Sequence, residues 1–158
     1  MKIYFVRHGV AVDREEFQGE DRDRPLTREG KDRMAQEAKA LGRLRIKPDA
    51  IITSPLVRAK QTAEIVAKEL DLRDRLVEDE GAGLEFDAGK LGALLEKYAD
   101  SATVMIVGHE PSMSQTIGRV IGGANIDLKK GGIACVEMQH ALDTAAMLLW
   151  LLPPKVLL

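Results

Sequence analysis

Short apolar runs alternate along the chain with longer stretches in which apolar residues recur every three or four positions. Three runs, residues 3–6, 50–53 and 104–107, are continuous and bounded by polar residues, which is typical of strands buried on both faces. The intervening stretches have the spacing of amphipathic helices and cover residues 27–44, 55–70, 91–98 and 111–121. This alternation predicts an α/β fold, a three-layer α/β/α sandwich around a mostly parallel sheet.

The last quarter of the chain departs from this alternation. Apolar residues fill 132–138 and 145–152, and the polar residues Gln139, His140 and Asp143 lie between them. An antiparallel hairpin is therefore predicted to extend the sheet. Residues 13–24 carry many charges without an apolar period, which indicates a solvated loop. With no repeat and no linker composition, residues 1–158 are predicted to form a single domain.

Composition narrows the class of protein. Lysine and arginine number 23 against 25 aspartate and glutamate residues, so we expect no nucleic-acid partner, and any affinity for phosphate must be local. A single cysteine, Cys135, excludes an internal disulfide and a multi-cysteine metal site. The longest apolar run, 145–152, is far shorter than the roughly 18 residues that span a bilayer. We therefore expect a cytoplasmic protein with no membrane partner; its oligomeric state is open.

The predicted strands run into polar residues that suit phosphate chemistry. Ligands of open α/β sheets bind at the carboxyl ends of the strands. Those ends carry the stretches Arg7-His8-Gly9, Thr53-Ser54-Pro55-Leu56-Val57-Arg58 and Gly108-His109-Glu110-Pro111. Ser54, as N-cap before Pro55, and Pro111 are typical of helix starts, whose free backbone N–H groups favour an anion. Together with the guanidinium groups of Arg7 and Arg58, they predict a phosphate pocket to which Ser54 also contributes.

His8 is the candidate nucleophile of this pocket. One nitrogen of a neutral imidazole can attack phosphorus while the other donates its proton to a nearby carbonyl. The charges of Arg7 and Arg58 disfavour protonation of His8 and offset the negative charge of the transferring group. His109, protonated or hydrogen-bonding, would donate to the same oxygens.

Other phosphate chemistries lack their sequence signals. No Gly-x-x-x-x-Gly-Lys-[Ser/Thr] loop is present. Cys135 lacks the arginine that a cysteine phosphatase carries six residues on, because that position is Ala141, so Cys135 is predicted to be a buried strand residue. Met113 stands where a zinc-binding His-Glu-x-x-His motif starting at His109 would need its second histidine. We expect neither a metal nor an organic cofactor.

These stretches resemble the motifs of the histidine phosphatase superfamily, which includes cofactor-dependent phosphoglycerate mutases and acid phosphatases. Arg7-His8-Gly9 is similar to its signature, residues 53–63 to its second motif and Val107-Gly108-His109-Glu110-Pro111 to its third, while Pro25-Leu26-Thr27 followed by Gly30 also has a counterpart. The resemblance implies a phosphoglycerate mutase-like fold. It also implies His8 as the phosphorylated nucleophile, with Arg7, Arg58 and His109 on the phosphoryl group. Among members, the short chain most resembles phosphohistidine phosphatases of the SixA type.

The proton donor and the substrate remain open at this level. An alkoxide leaving group needs an acid, whereas a phosphohistidine leaves as imidazole. Glu110, which follows His109, and Glu80, before a glycine-rich turn, are both candidates for that acid. Little room for an inserted cap predicts an open site that admits a phosphorylated side chain of another protein. The alternatives are a small-molecule phosphomonoesterase, a mutase, and a non-catalytic module that binds a phosphorylated ligand.

Overall fold

One mixed sheet forms the centre of the protein. The computed structural model describes residues 1–139 and 145–158, and within them six strands are present. They are β1 (Lys2–Arg7), β2 (Ala50–Thr53), β3 (Leu76–Glu78), β4 (Thr103–Gly108), β5 (Ile133–Glu137) and β6 (Met147–Leu152). Their order across the sheet is β3-β2-β4-β1-β5-β6.

The strands pair in parallel on one side of β1 and antiparallel on the other. β1 with β4, β4 with β2, and β2 with β3 are parallel pairs, whereas β5 pairs antiparallel with both β1 and β6. The predicted fold, a mostly parallel sheet with an antiparallel hairpin, is therefore confirmed. Of the residues predicted to form the turn of this hairpin, His140 and Asp143 lie outside the described residues.

Helices cover both faces of the sheet. They are α1 (Arg28–Arg43), α2 (Val57–Glu69), α3 (Ala88–Lys97), α4 (Ser112–Val120) and the short α5 (Pro154–Leu157). Side chains of β4 alternate between the two layers, because Met105 and Val107 pack with α1 and α2 while Val104 and Ile106 pack with α3 and α4. A strand covered on both faces has no polar face, which explains its continuous apolar run. No helix in the described part of the chain is long and apolar enough to cross a membrane.

Three local expectations are corrected. Ser54 is not the N-cap of α2, because the helix begins at Val57 and Leu56 is its N-cap. β3 was not among the five predicted strands, since it has only three residues, none of them fully buried, at the edge of the sheet. The charged segment 13–24 is not fully solvated, because its Asp21 makes an ion pair with the buried side chain of Arg58.

Candidate active site

Register brings three polar strand ends to one edge of the sheet. Arg7 of β1 lies beside Gly108 of β4, and Thr53 of β2 lies beside Val107 of the same strand. The next residues along the three strands, His8, Ser54 and His109, are all buried. His8, Ser54 and His109 therefore lie together at the edge where the three strands end.

His8 is held by its backbone and by one ring nitrogen. Its backbone N–H donates to the Gly108 carbonyl oxygen at 3.1 Å, and its Nδ1 lies 2.7 Å from the Gly9 carbonyl oxygen. Because a carbonyl oxygen only accepts, Nδ1 carries the proton and Nε2 presents a lone pair. Burial, and then the nearby charges of Arg58 and Arg7, lower the pKa of His8 to about 4, although the bond to Gly9 opposes this. His8 is thus neutral near pH 7, as an attacking nitrogen must be.

His109 is held through the opposite ring nitrogen. Its Nε2 lies 2.8 Å from the Ser54 hydroxyl oxygen, which already accepts the Leu56 N–H at 3.2 Å. The Ser54 hydroxyl can donate its proton to Nε2, and in that arrangement the His109 proton lies on Nδ1. Burial, together with the facing His8 and Arg58, lowers the pKa of His109 to about 3. His109 therefore suits a neutral hydrogen-bond donor rather than a cation, and the hydroxyl of Ser54 serves His109 rather than standing free for phosphate.

Arg58 projects from the first turn of α2 and is 3% exposed. Both of its terminal nitrogens bind Asp21, at 2.8 Å to the backbone oxygen and 3.0 Å to the carboxylate. Partial burial works to raise the pKa of Asp21, but Arg24 and Arg58 outweigh it and hold that pKa below its usual value. The ion pair therefore fixes the guanidinium group and leaves its Nε for another partner.

Three buried nitrogens at this edge have no hydrogen-bond partner among the described residues: Arg7 Nε, Arg58 Nε and His109 Nδ1. Buried donors are nearly always satisfied, and leaving one unpaired costs about 1–3 kcal/mol. All three belong to residues expected to bind phosphate. An anion with several acceptor oxygens would satisfy them together.

Two supporting residues were missed at the sequence level. Asp21 lies 37 positions from Arg58, inside a segment whose charges suggested only solvation. Thr62 accepts the Gly9 N–H at 3.1 Å and donates to the Arg58 carbonyl oxygen at 2.8 Å, which ties β1 to α2. No local pattern marks either residue, because the Asp21–Arg58 and Gly9–Thr62 contacts join distant parts of the chain.

Gly9 is required by packing. A Cβ atom at Gly9 would lie 2.6 Å from Cγ of Met34, which α1 places behind the strand end. A larger residue would require the Met34 side chain or α1 to shift. Glycine here allows a close approach of helix and strand.

The two candidate acids lie in different settings. Glu110 binds its own helix, because its carboxylate accepts the Ser114 N–H at 2.9 Å and the Ser114 hydroxyl at 2.5 Å. Glu80 is exposed and opens the single 3-10 turn 80–82 that follows β3. The carbonyl oxygen of Ala82 in that turn lies close against Gly108, so the turn borders the strand end that carries His109.

Cys135 lies buried in β5, and burial raises its pKa to about 11. An unreactive thiol agrees with the expected strand position. Within residues 1–139 and 145–158, no group of three or more His, Cys, Asp or Glu side chains could hold a metal ion.

Comparison with known proteins decides the family. Residues 3–94 match the profile of the histidine phosphatase superfamily (branch 1), which is more than half of the chain. The chain belongs to the histidine phosphatase superfamily. The resemblance inferred from the motifs is thereby confirmed, as is the expectation of a phosphatase. This histidine phosphatase is 36% identical, over 97% of its length and 100% of the relative, to an uncharacterised protein of Picosynechococcus sp..

Relatives of known name include phosphohistidine and small-molecule phosphatases. The phosphohistidine phosphatase SixA of Escherichia coli (strain K12) is 29% identical, with 78% of this chain and 76% of SixA covered. A structure of the protein histidine phosphatase SixA with tungstate superposes with a TM-score of 0.88, at 24% identity and 99% coverage of both chains. The α-ribazole phosphatase of Shigella flexneri superposes with a TM-score of 0.76, at 17% identity and coverages of 98% and 97%. The fold is therefore shared across different substrates.

Proposed function

We propose that this histidine phosphatase transfers the phosphoryl group of a phosphorylated protein histidine to Nε2 of His8 and then to water. The observation that carries the proposal is the ring orientation of His8. Its Nδ1 donates to Gly9, so the lone pair lies on Nε2, at an edge where three buried nitrogens have no partner within the described part of the chain. A module that only binds phosphate needs those nitrogens but has no use for a neutral nucleophile.

The reaction would proceed in two displacements at phosphorus. In the first, Nε2 of His8 forms a bond to phosphorus while the bond from phosphorus to the substrate's imidazole nitrogen breaks. The substrate ring, protonated on its other nitrogen, takes the electron pair of that bond and leaves as neutral imidazole. In the second, water attacks phosphorus, the bond to His8 breaks, and inorganic phosphate leaves with neutral His8 restored. Arg7, Arg58 and His109 would bind the phosphoryl oxygens throughout and stabilise the charge on them.

Two short connections at this edge support a protein substrate. The chain crosses from β2 to α2 in residues 54–56 and from β4 to α4 in residues 109–111. Such connections are too short to form a cap over the site. The longer connection of residues 8–27 is tied down at Asp21 by Arg58 and Arg24.

The leaving group also favours phosphohistidine. A phosphohistidine ring that is protonated on its other nitrogen leaves as neutral imidazole. The conjugate acid of imidazole has a pKa near neutral pH, so the leaving group needs no strong acid. Glu110 is engaged by Ser114 and is poorly placed to donate a proton to a leaving group. A substrate that needs no donor therefore fits the site best.

The substrate class can be tested by direct comparison. We expect kcat/KM for a phosphohistidine-containing protein to exceed that for 3-phosphoglycerate and a sugar phosphate by at least about tenfold. The reason is that a phosphoester releases an alkoxide, which departs slowly when no acid protonates it. Release of inorganic phosphate measures all three. Faster turnover of 3-phosphoglycerate or the sugar phosphate would contradict the proposal.

Exposed Glu80 favours one alternative, a small-molecule phosphomonoesterase in which this side chain protonates the leaving oxygen. In that case Glu80→Gln should lower phosphomonoester hydrolysis by about 10²-fold or more and leave phosphohistidine hydrolysis nearly unchanged. Glu85→Gln is the matched control, since Glu85 is also exposed and lies in the same connection. Equal, small effects of both variants would remove Glu80 from the mechanism.

A further inference from the structure

A cavity of about 510 Å³ lies beside the phosphate site and shares Arg7 with it. We call it the cationic cavity, because its charged lining residues are all basic: Arg7, Arg33, Lys129, Lys130 and Lys155. Its apolar lining comes from Val10, Pro153 and Pro154. Val10 is only two residues beyond His8, so the cavity begins next to the proposed nucleophile.

Distant parts of the chain assemble this cavity. Arg33 lies on α1, Lys130 precedes β5, and Lys155 lies on α5, which packs against α1. The chain as a whole has 25 acidic residues against 23 lysine and arginine residues, so an all-basic lining is a local feature. Such a concentration of one sign attracts an anion to this side of the site.

Neighbouring carboxylates do little to neutralise the lining. Lys129 pairs with Asp127 at 2.7 Å and Arg33 with Glu29 at 4.0 Å, but the two carboxylates are 72% and 80% exposed, so both pairs are weak. Among the described residues no carboxylate lies within ion-pair distance of Lys130 or Lys155. Glu37, one helical turn after Arg33, is 2% exposed, and burial raises its pKa to about 7. Its negative charge is therefore only partly present at neutral pH.

We propose that the cationic cavity binds a second anionic group of the phosphorylated substrate. On the proposed function, from which this inference starts, that group is an acidic side chain of the substrate protein within about three residues of the phosphorylated histidine. An extended segment spans roughly 3.3–3.6 Å per residue, so three residues reach about 10 Å from the phosphoryl group. The substrate would thus be recognised both by its phosphoryl group and by a flanking acid.

The test uses two phosphohistidine peptides that differ only in flanking residues, glutamate in one and glutamine in the other. We expect wild-type protein to prefer the glutamate peptide by about fivefold or more in kcat/KM, since several exposed charge pairs act together. The double variant Lys130→Gln/Lys155→Gln should reduce that ratio below about twofold. Added salt should reduce the wild-type ratio as well, because exposed charges are screened.

A matched control removes two lysines elsewhere. Lys47 precedes β2 and Lys68 lies in the last turn of α2, both at the opposite edge of the sheet. Lys47→Gln/Lys68→Gln should keep the wild-type ratio. Equal kcat/KM for both peptides with wild-type protein, or equal loss of preference in the two double variants, would overturn the inference.

A small-molecule pair separates this inference from the proposed function. 3-Phosphoglycerate carries a carboxylate where glycerol 3-phosphate carries a hydroxymethyl group. A preference for 3-phosphoglycerate that Lys130→Gln/Lys155→Gln removes, with neither peptide hydrolysed, would support the second-anion site and contradict a protein substrate. Hydrolysis of both peptides at equal rates would contradict the second-anion site and leave the proposed function standing. Hydrolysis of none of the four compounds would contradict both.

Discussion

The ends of β1 and β4 carry the same side chain, held through opposite ring nitrogens. His8 and His109 are both buried, both neutral, and face each other with ring centroids 5.4 Å apart. His8 donates a hydrogen bond from Nδ1 to the Gly9 carbonyl oxygen and has a lone pair on Nε2. His109 faces the Ser54 hydroxyl with Nε2, and its Nδ1 has no hydrogen-bond partner among the described residues.

The hydrogen-bond partner of one ring nitrogen therefore determines whether the other nitrogen is a donor or an acceptor. A histidine beside a carbonyl becomes an acceptor and suits attack on phosphorus, whereas a histidine beside a hydroxyl donor becomes a donor and suits binding of phosphoryl oxygens. The two strands are adjacent and in register, so a nucleophile and a donor result from neighbouring positions. The predictions below test this contrast.

The largest effect concerns the titration of the two rings. Both pKa values are lowered, so each ring stays neutral until the pH falls to about 4 for His8 and about 3 for His109. An ordinary histidine titrates near ~6.5, so the proton affinity of His8 should be reduced by roughly 10²-fold. Nitrogen-15 NMR of the imidazole rings measures both the midpoints and the protonated nitrogen, with urea-unfolded protein as the control. A midpoint near 6.5 in the folded protein, or a proton on Nε2 of His8, would contradict the contrast.

Removal of the Arg58 guanidinium group has the next largest expected effect. Arg58→Ala should lower kcat/KM by about 10²-fold, because one preorganised donor to the developing charge is lost. Arg22→Ala is the matched control, since Arg22 is exposed in the loop that also carries Asp21. A loss below about threefold, in a variant that folds normally by circular dichroism, would count against the assigned role of Arg58.

The smallest effect concerns the residue that orients His109. Ser54→Ala removes the hydroxyl that faces Nε2, which frees the His109 proton to move there from Nδ1, so we expect about a tenfold loss in kcat/KM. Ser54→Thr keeps a hydroxyl and should restore most of the activity. Ser101→Ala, at the opposite end of β4, is the control. If nitrogen-15 NMR found the His109 proton unmoved in Ser54→Ala, Ser54 would have no positioning role.

Much of this site could be predicted because its main residues follow strands. Continuous apolar runs marked β1, β2 and β4, and parallel strands bring their carboxyl ends together, so Arg7, His8, Arg58 and His109 were placed from periodicity and motif alone. Orientation was harder. The hydroxyl of Ser54 was expected on phosphate or on a helix, and only the register between β2 and β4 shows that it meets His109. The role of Asp21 could not be predicted either, because an ion pair between residues 37 positions apart produces no pattern in the sequence.

The most direct test of opposite roles is covalent labelling. Wild-type protein and the variants His8→Ala and His109→Ala are incubated with a labelled phosphoryl donor, quenched in base, and examined for label that survives alkali and is lost in acid. We predict such label on His8 in wild-type protein, slower labelling of His8 in His109→Ala, and none in His8→Ala. Undiminished label in His8→Ala, or label found on His109 in wild-type protein, would contradict the account.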